Sequence, residues 1–186
     1  MAHIEIKYCI ANLNSAPFGD EWDIEGGLSV AKDCLILTKE INDPEDKGFR
    51  GDSIFYILER WVASIPKMFQ GDMSEISFVD SQEGFLFTPK GEFTFFKYFI
   101  GGSGKILSKD GVLSVEEINK RYPNHEEGTP LKTDELVLEI IRIAELFIDS
   151  IGPKIKDKSD VIGFKQSLEE AREVYDQYIM RRELHY

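Results

Sequence analysis

Ser53, Lys105, His125 and the acids around Trp22 are the residues of this chain whose types and neighbours point to chemistry. In Gly51-Asp52-Ser53-Ile54 a hydroxyl follows an acid, the setting of a serine nucleophile, but serine attacks only when a positioned base takes its proton. No Asp-x-x-His occurs in the chain to supply that base, and the preceding Asp46-Lys47-Gly48-Phe49-Arg50 is not a hydrophobic strand. A helix capped by Asp52 or Ser53 explains the same residues. Gly101-Gly102-Ser103-Gly104-Lys105 superficially suggests a phosphate loop. Phe99 stands where its first glycine belongs and Ile106 where its metal-binding hydroxyl belongs, so a hairpin turn is expected instead. His125-Glu126-Glu127 opens like a helical zinc motif but lacks the second histidine four residues on. Arg50-Gly51-Asp52 spells an adhesion tripeptide, a match that three residues reach easily by chance.

Paired carboxylates for acid–base work would need partners distant in sequence; Glu116-Glu117, Glu126-Glu127 and Glu169-Glu170 read more simply as solvated faces. His3, His125 and His185 are scattered, and neither cysteine has a partner at ligand spacing. No catalytic residue, metal ligand or cofactor follows from these spacings, and whether the chain is an enzyme stays open. What remains is Asp20-Glu21-Trp22-Asp23-Ile24-Glu25, where four acids surround a tryptophan in a region with few bases. Tryptophan anchors protein interfaces, and flanking acids steer a basic partner toward it. Asp20, Glu21, Trp22, Asp23 and Glu25 are therefore the candidate partner-binding residues. The alternative places Trp22 in the core of an edge strand, with its acidic neighbours turned to water.

These residues need elements to hold them. His3–Ile10 alternates apolar and polar residues, the pattern of a strand with one buried side. Residues 12–27 form a loop or short edge strand, and a second strand lies within Leu28–Ile41, strongest at Cys34–Leu37. Ile54, Ile57, Leu58, Trp61 and Ile65 recur at helical spacing, and Pro66 is expected to end that helix. Glu75–Ile100 reads as three antiparallel strands with turns at Ser81–Gly84 and Thr88–Gly91. Both faces of the third strand are largely apolar, which predicts a strand covered on both sides. A small hairpin over Lys109-Asp110-Gly111 follows, then a short helix with capping-box residues Ser114 and Glu117. Thr133 is expected to cap a strongly apolar helix ending at Gly152-Pro153, covered on most sides. A last helix spans about Asp160–Glu183.

The expected fold is α+β: a mostly antiparallel sheet built around a central three-strand meander, packed against a mid-chain helix and two C-terminal helices. The 186 residues suit a single domain over 1–186, its helical part 133–183 lying on the sheet. A formal charge of −12 argues against nucleic acid and against anionic membranes as partners, since both demand clustered Lys and Arg. The charge is uneven. Residues 1–46 hold ten acids against three bases, while the remainder holds 24 against 19. No apolar run approaches the roughly 20 residues that span a bilayer, and the N-terminus lacks the pattern of a secretory signal. A cytoplasmic protein is expected, with Cys9 and Cys34 as buried reduced thiols. The residues set no oligomeric state.

Small acidic α+β chains of this kind resemble, in overall profile, the immunity proteins that neutralise bacterial toxins by setting carboxylates against the cationic active face of a nuclease. The resemblance rests on no motif and carries over no residue roles. It implies an acidic intracellular protein-binding module with a basic protein partner. The alternative is a small enzyme or ligand-binding protein with an apolar pocket between the aromatic sheet and its covering helices.

Overall fold

The computed structural model describes residues 3–108 and 110–184. Lys109, in the expected hairpin turn, and His185 lie outside the described residues. β1 (Ile4–Ile10), β2 (Gly26–Lys32) and β3 (Leu35–Ile36) form a three-stranded antiparallel sheet. The alternation in β1 works as read: Ile4 and Ile6 are buried. The second strand begins and ends earlier than expected, because the chain reverses at Asp33. That residue takes a φ of 56°, a left-handed conformation Asp tolerates, and its carboxylate accepts from the His3 N–H at 2.9 Å. The Cys34–Leu37 run is therefore a turn and a two-residue edge rather than the heart of a strand.

α1 (Ile54–Gln70) runs through Pro66 instead of stopping there. Ile65 and Met68 are both buried on its inner face, so tertiary burial outweighs the hydrogen bond that proline removes. Gly71, with φ of 84°, closes the helix and donates its N–H to Lys67.

The meander is present as β4 (Ser74–Ser77), β5 (Glu83–Lys90) and β6 (Phe93–Ile100), with β9 (Thr129–Lys132) added on the far side of β6. Its second turn is tighter than expected. Lys90 pairs with Phe93 and Pro89 with Thr94, so Pro89 lies in the ladder and the reversal is Gly91-Glu92, with Gly91 at φ of 64°. The sheet has one dry face. Phe85, Phe87 and Phe96 are buried, whereas Phe93 is exposed and Phe95, Lys97 and Phe99 are half-buried. The expectation of cover on both sides is corrected for a plain reason: α1 fills the inner side, and the longer helices that follow pack chiefly on α1, on β1 and on each other.

β7 (Lys105–Ser108) pairs with β8 (Gly111–Ser114) as a hairpin, and α2 (Val115–Asn119) follows with both reciprocal bonds of the Ser114–Glu117 capping box. In α3 (Thr133–Ile151) the cap position belongs to Lys132, not Thr133; the Thr133 hydroxyl instead meets that of Thr94 at 2.9 Å in the core. Leu138 and Leu146 stay exposed, so α3 is less covered than its composition suggests. α4 (Lys158–Glu183) crosses α1 and α3, stacking Tyr178 on Phe69 at 4.2 Å and setting Phe164 edge-on to Phe55. The class is α+β with antiparallel sheets and helices packed on them, as expected.

Candidate binding groove

Trp22 sits on a single 3-10 turn, Glu21–Asp23, that hydrogen bonds hold from several sides. The Asp20 carboxylate caps the turn by accepting from the Trp22 N–H at 3.0 Å, and Asp23 reaches back to accept from Gly19 at 2.7 Å. The Asn12 side chain clamps the exit, donating to the Asp23 carbonyl and accepting from the Glu25 N–H. Phe18 and Ile24, both buried, pin the two ends. Trp22 is 51% exposed. One side of it rests on the Tyr56 ring at a centroid distance of 5.4 Å, and Tyr56 in turn lies under the Arg60 guanidinium.

Beside Trp22 runs a groove of about 730 Å³ whose wall includes Trp22, Glu25, Asp52, Val79 and Asp80, with Gly26, Gly27 and Gly51 also lining it. The glycines are required there. A side chain at Gly27 would meet the Arg50 backbone at 2.8 Å, and one at Gly26 the Cys9 carbonyl at 2.2 Å, so only bare backbone lets β2 lie between β1 and the 50–53 segment. That segment adds to β2 as a short extra strand, the Leu28 N–H donating to Arg50 and the Gly26 N–H to Asp52.

Among the described residues, the charged ones lining this groove are Glu25, Asp52 and Asp80, with no lysine or arginine. Asp52 accepts from the Ser53 and Asp80 N–H groups, which orients it. Glu25 and Asp80 have exposed side chains without an ion-pair partner among the described residues. Ser53 lines the groove and is 8% exposed; its hydroxyl oxygen is shielded from solvent and, among the described residues, finds no hydrogen-bond partner. It occupies the cap position of α1 without closing a side-chain cap, and neither does Asp52, contrary to expectation. Among the described residues no base reaches that hydroxyl, so Ser53 is not held as an activated nucleophile.

A second groove of about 730 Å³ lies on the open face of the meander, but its charges are mixed and already engaged. Lys97 donates to the carbonyls of His125 and Glu126, and Lys120 pairs with Glu116. No family model, no curated protein and no solved structure matches this chain. The assignment of a site therefore rests on geometry and charge.

The five residues singled out from sequence separate in space. Trp22 and Glu25 line the groove. Asp20 and Asp23 are exposed but engaged in holding the turn. Glu21 is half-buried on the other side, where the Asp160 carboxylate accepts its backbone N–H at 3.2 Å. Burial, then the charges of Asp160, Glu59 and Asp20, push its carboxyl above the ordinary range. Asp52, Ser53 and Asp80 were missed as site residues; the paired glycines at 26 and 27 and the lone Gly51 were the available signal that backbone segments approach closely there.

Between the aromatic sheet and α1, where an apolar pocket was the alternative, Trp61 occupies the space. Its ring meets Phe85, Phe87 and Phe96 edge-on at 5.1, 5.2 and 5.9 Å. The cysteines are unpaired, but neither is buried: Cys9 is half-buried at the groove and Cys34 is exposed. Among the described residues, no helix is long and apolar enough to cross a membrane.

Proposed function

We propose that this chain is an acidic protein-binding module that docks a basic partner, in the manner of an immunity-type inhibitor of a cationic toxin or nuclease. One observation carries the reading: a half-exposed tryptophan lines a groove whose charged lining, among the described residues, is entirely carboxylate. A large amphipathic ring on a turn fixed by side-chain-to-backbone hydrogen bonds loses little freedom on binding, and uncompensated acids beside it raise the encounter rate with a cationic surface. The uneven charge of the chain supports the same direction of approach, since the N-terminal quarter holds most of the excess acid.

The test is direct binding to a panel of purified cationic toxin domains and nucleases, read by the fluorescence of Trp22 with Trp22→Phe as the blank. Binding at low ionic strength that weakens steeply as salt is raised supports the reading. Asp80→Asn and Glu25→Gln are expected to slow association more than they speed dissociation. Failure of every basic partner to bind at low salt, with the protein shown to be folded, would sink it.

A further inference from the structure

We propose that strand β4 pairs with the β4 of a second copy of this chain, antiparallel across a two-fold axis at Ile76. A strand edge presents unpaired N–H and C=O groups, which a folded protein must cover, block or use. Two edges of this molecule are blocked. On β1, Glu139 and Arg142 of α3 occupy the Ile6 N–H and carbonyl. On β9, Pro130 has no N–H to offer, and its carbonyl accepts from Lys32 at 2.9 Å. β4, the end strand of the meander sheet, carries neither device. The Phe78 N–H donates to Glu83 of β5 at 2.8 Å, and antiparallel bonds alternate along a strand, so the N–H and C=O groups of Glu75 and Ser77 point away from β5. Among the described residues these backbone groups have no hydrogen-bond partner.

The side chains of this edge match a copy of themselves. Met73, Glu75, Ser77 and Val79 alternate along the open face of the sheet, all exposed, while Ser74, Ile76 and Phe78 between them are buried. With the axis at Ile76, Glu75 of each copy lies opposite Ser77 of the other, and each such pair exchanges two N–H···O bonds. The exposed Met73 comes beside the exposed Val79 at either end. Ser77 already donates its hydroxyl to the Glu75 carboxylate within its own chain at 3.2 Å, so the two side chains facing each other across the seam are a donor and its acceptor. Neighbouring registers are worse. An axis at Glu75 sets two carboxylates against each other, and an axis at Ser77 carries Val79 away from Met73. The charge of −12 on each copy opposes the encounter, as do Asp72 and Asp80 at the ends of the seam, and salt screens both. The pairing is therefore sought at high salt, where docking of a basic partner is weak.

The experiment follows the mass of the full chain by sedimentation at about 0.5 M salt, from about 10 μM to 1 mM, with amide hydrogen exchange read by NMR at both ends of that range. The mass is expected to rise toward twice that of the monomer. The Glu75 and Ser77 amides are expected to exchange about tenfold more slowly at the high concentration, when about a tenth of the chains are dissociated, while the Ile76 amide, already bonded to β5, serves as the reference. Ser77→Pro removes an outward N–H without touching a bond to β5, and is expected to stay monomeric with an unchanged urea midpoint. A chain that remains monomeric at 1 mM overturns the inference. So does a mass increase that leaves the Glu75 and Ser77 amides unslowed, which would mean that another surface is used, or a folded Ser77→Pro variant that associates like the parent. If that variant fails to fold, the exchange of the two amides in the parent chain decides alone.

Discussion

Glu21 shows how the acids near the groove differ from one another. Its carboxyl is held above the ordinary range first by partial burial and then by Asp160, Glu59 and Asp20. A raised carboxyl binds its proton more tightly in the folded than in the unfolded state. Stability therefore falls as pH rises from about 4.5 through the folded value, and the cost is fully present at neutral pH. Glu21→Gln is expected to raise the melting midpoint at pH 7 and to change nothing below about pH 4, where both side chains are neutral. A midpoint that drops at pH 7 would show that the charge is held by a favourable contact instead. Asp46 is the opposite case. Burial works against its charge, but the N–H groups of Glu40 and Gly48 and the Arg50 guanidinium hold its carboxyl below the usual value.

Strand β1 lies at the edge of its sheet, and such edges invite pairing with another chain. Here α3 closes it. Glu139 accepts from the Ile6 N–H at 2.9 Å, Arg142 donates to the Ile6 carbonyl at 3.3 Å, and the two side chains pair at 2.6 Å. The ion pair thus offers Ile6 both bonds that a neighbouring strand would offer. Glu139→Ala leaves that N–H and the Arg142 guanidinium without their partner, and is expected to cost about 1–3 kcal/mol, read as a lower urea midpoint. Concentration-dependent self-association, followed by light scattering, is the accompanying sign. An unchanged midpoint would mean that water replaces the carboxylate without loss.

Buried hydrophobic residues reaching from Ile4 to Ala171 join in one cluster that every long element enters, with Trp61 at the meeting of α1 and the aromatic sheet. Denaturant unfolding is therefore expected to be a single transition, with far-ultraviolet dichroism and Trp61 fluorescence coinciding in the Trp22→Phe background. Two separated transitions would show that the β1–β3 sheet and the meander fold independently.

Wherever burial on one side imposed a period, the residues announced their own structure: the alternation of β1, the helical spacing of Ile54, Ile57, Leu58 and Trp61, and the aromatic strands of the meander. Local hydrogen bonding was equally readable, as in the capping box of Ser114 and Glu117. The amount of cover on an apolar face was not. Phe93 and Leu138 lie exposed because the helices that would hide them are engaged elsewhere, and Pro66 continues a helix because burial of its neighbours outweighs a lost bond. The groove was half visible. Trp22 and its acids stood out by composition, yet Asp52, Ser53 and Asp80 join Trp22 only because β2 accepts the 50–53 segment beside it across bare glycines. Periodicity and capping are written within a few residues of chain, so the sequence alone determined them; convergence of residues far apart in the chain depends on which surfaces pack together, and only the tertiary structure decided that.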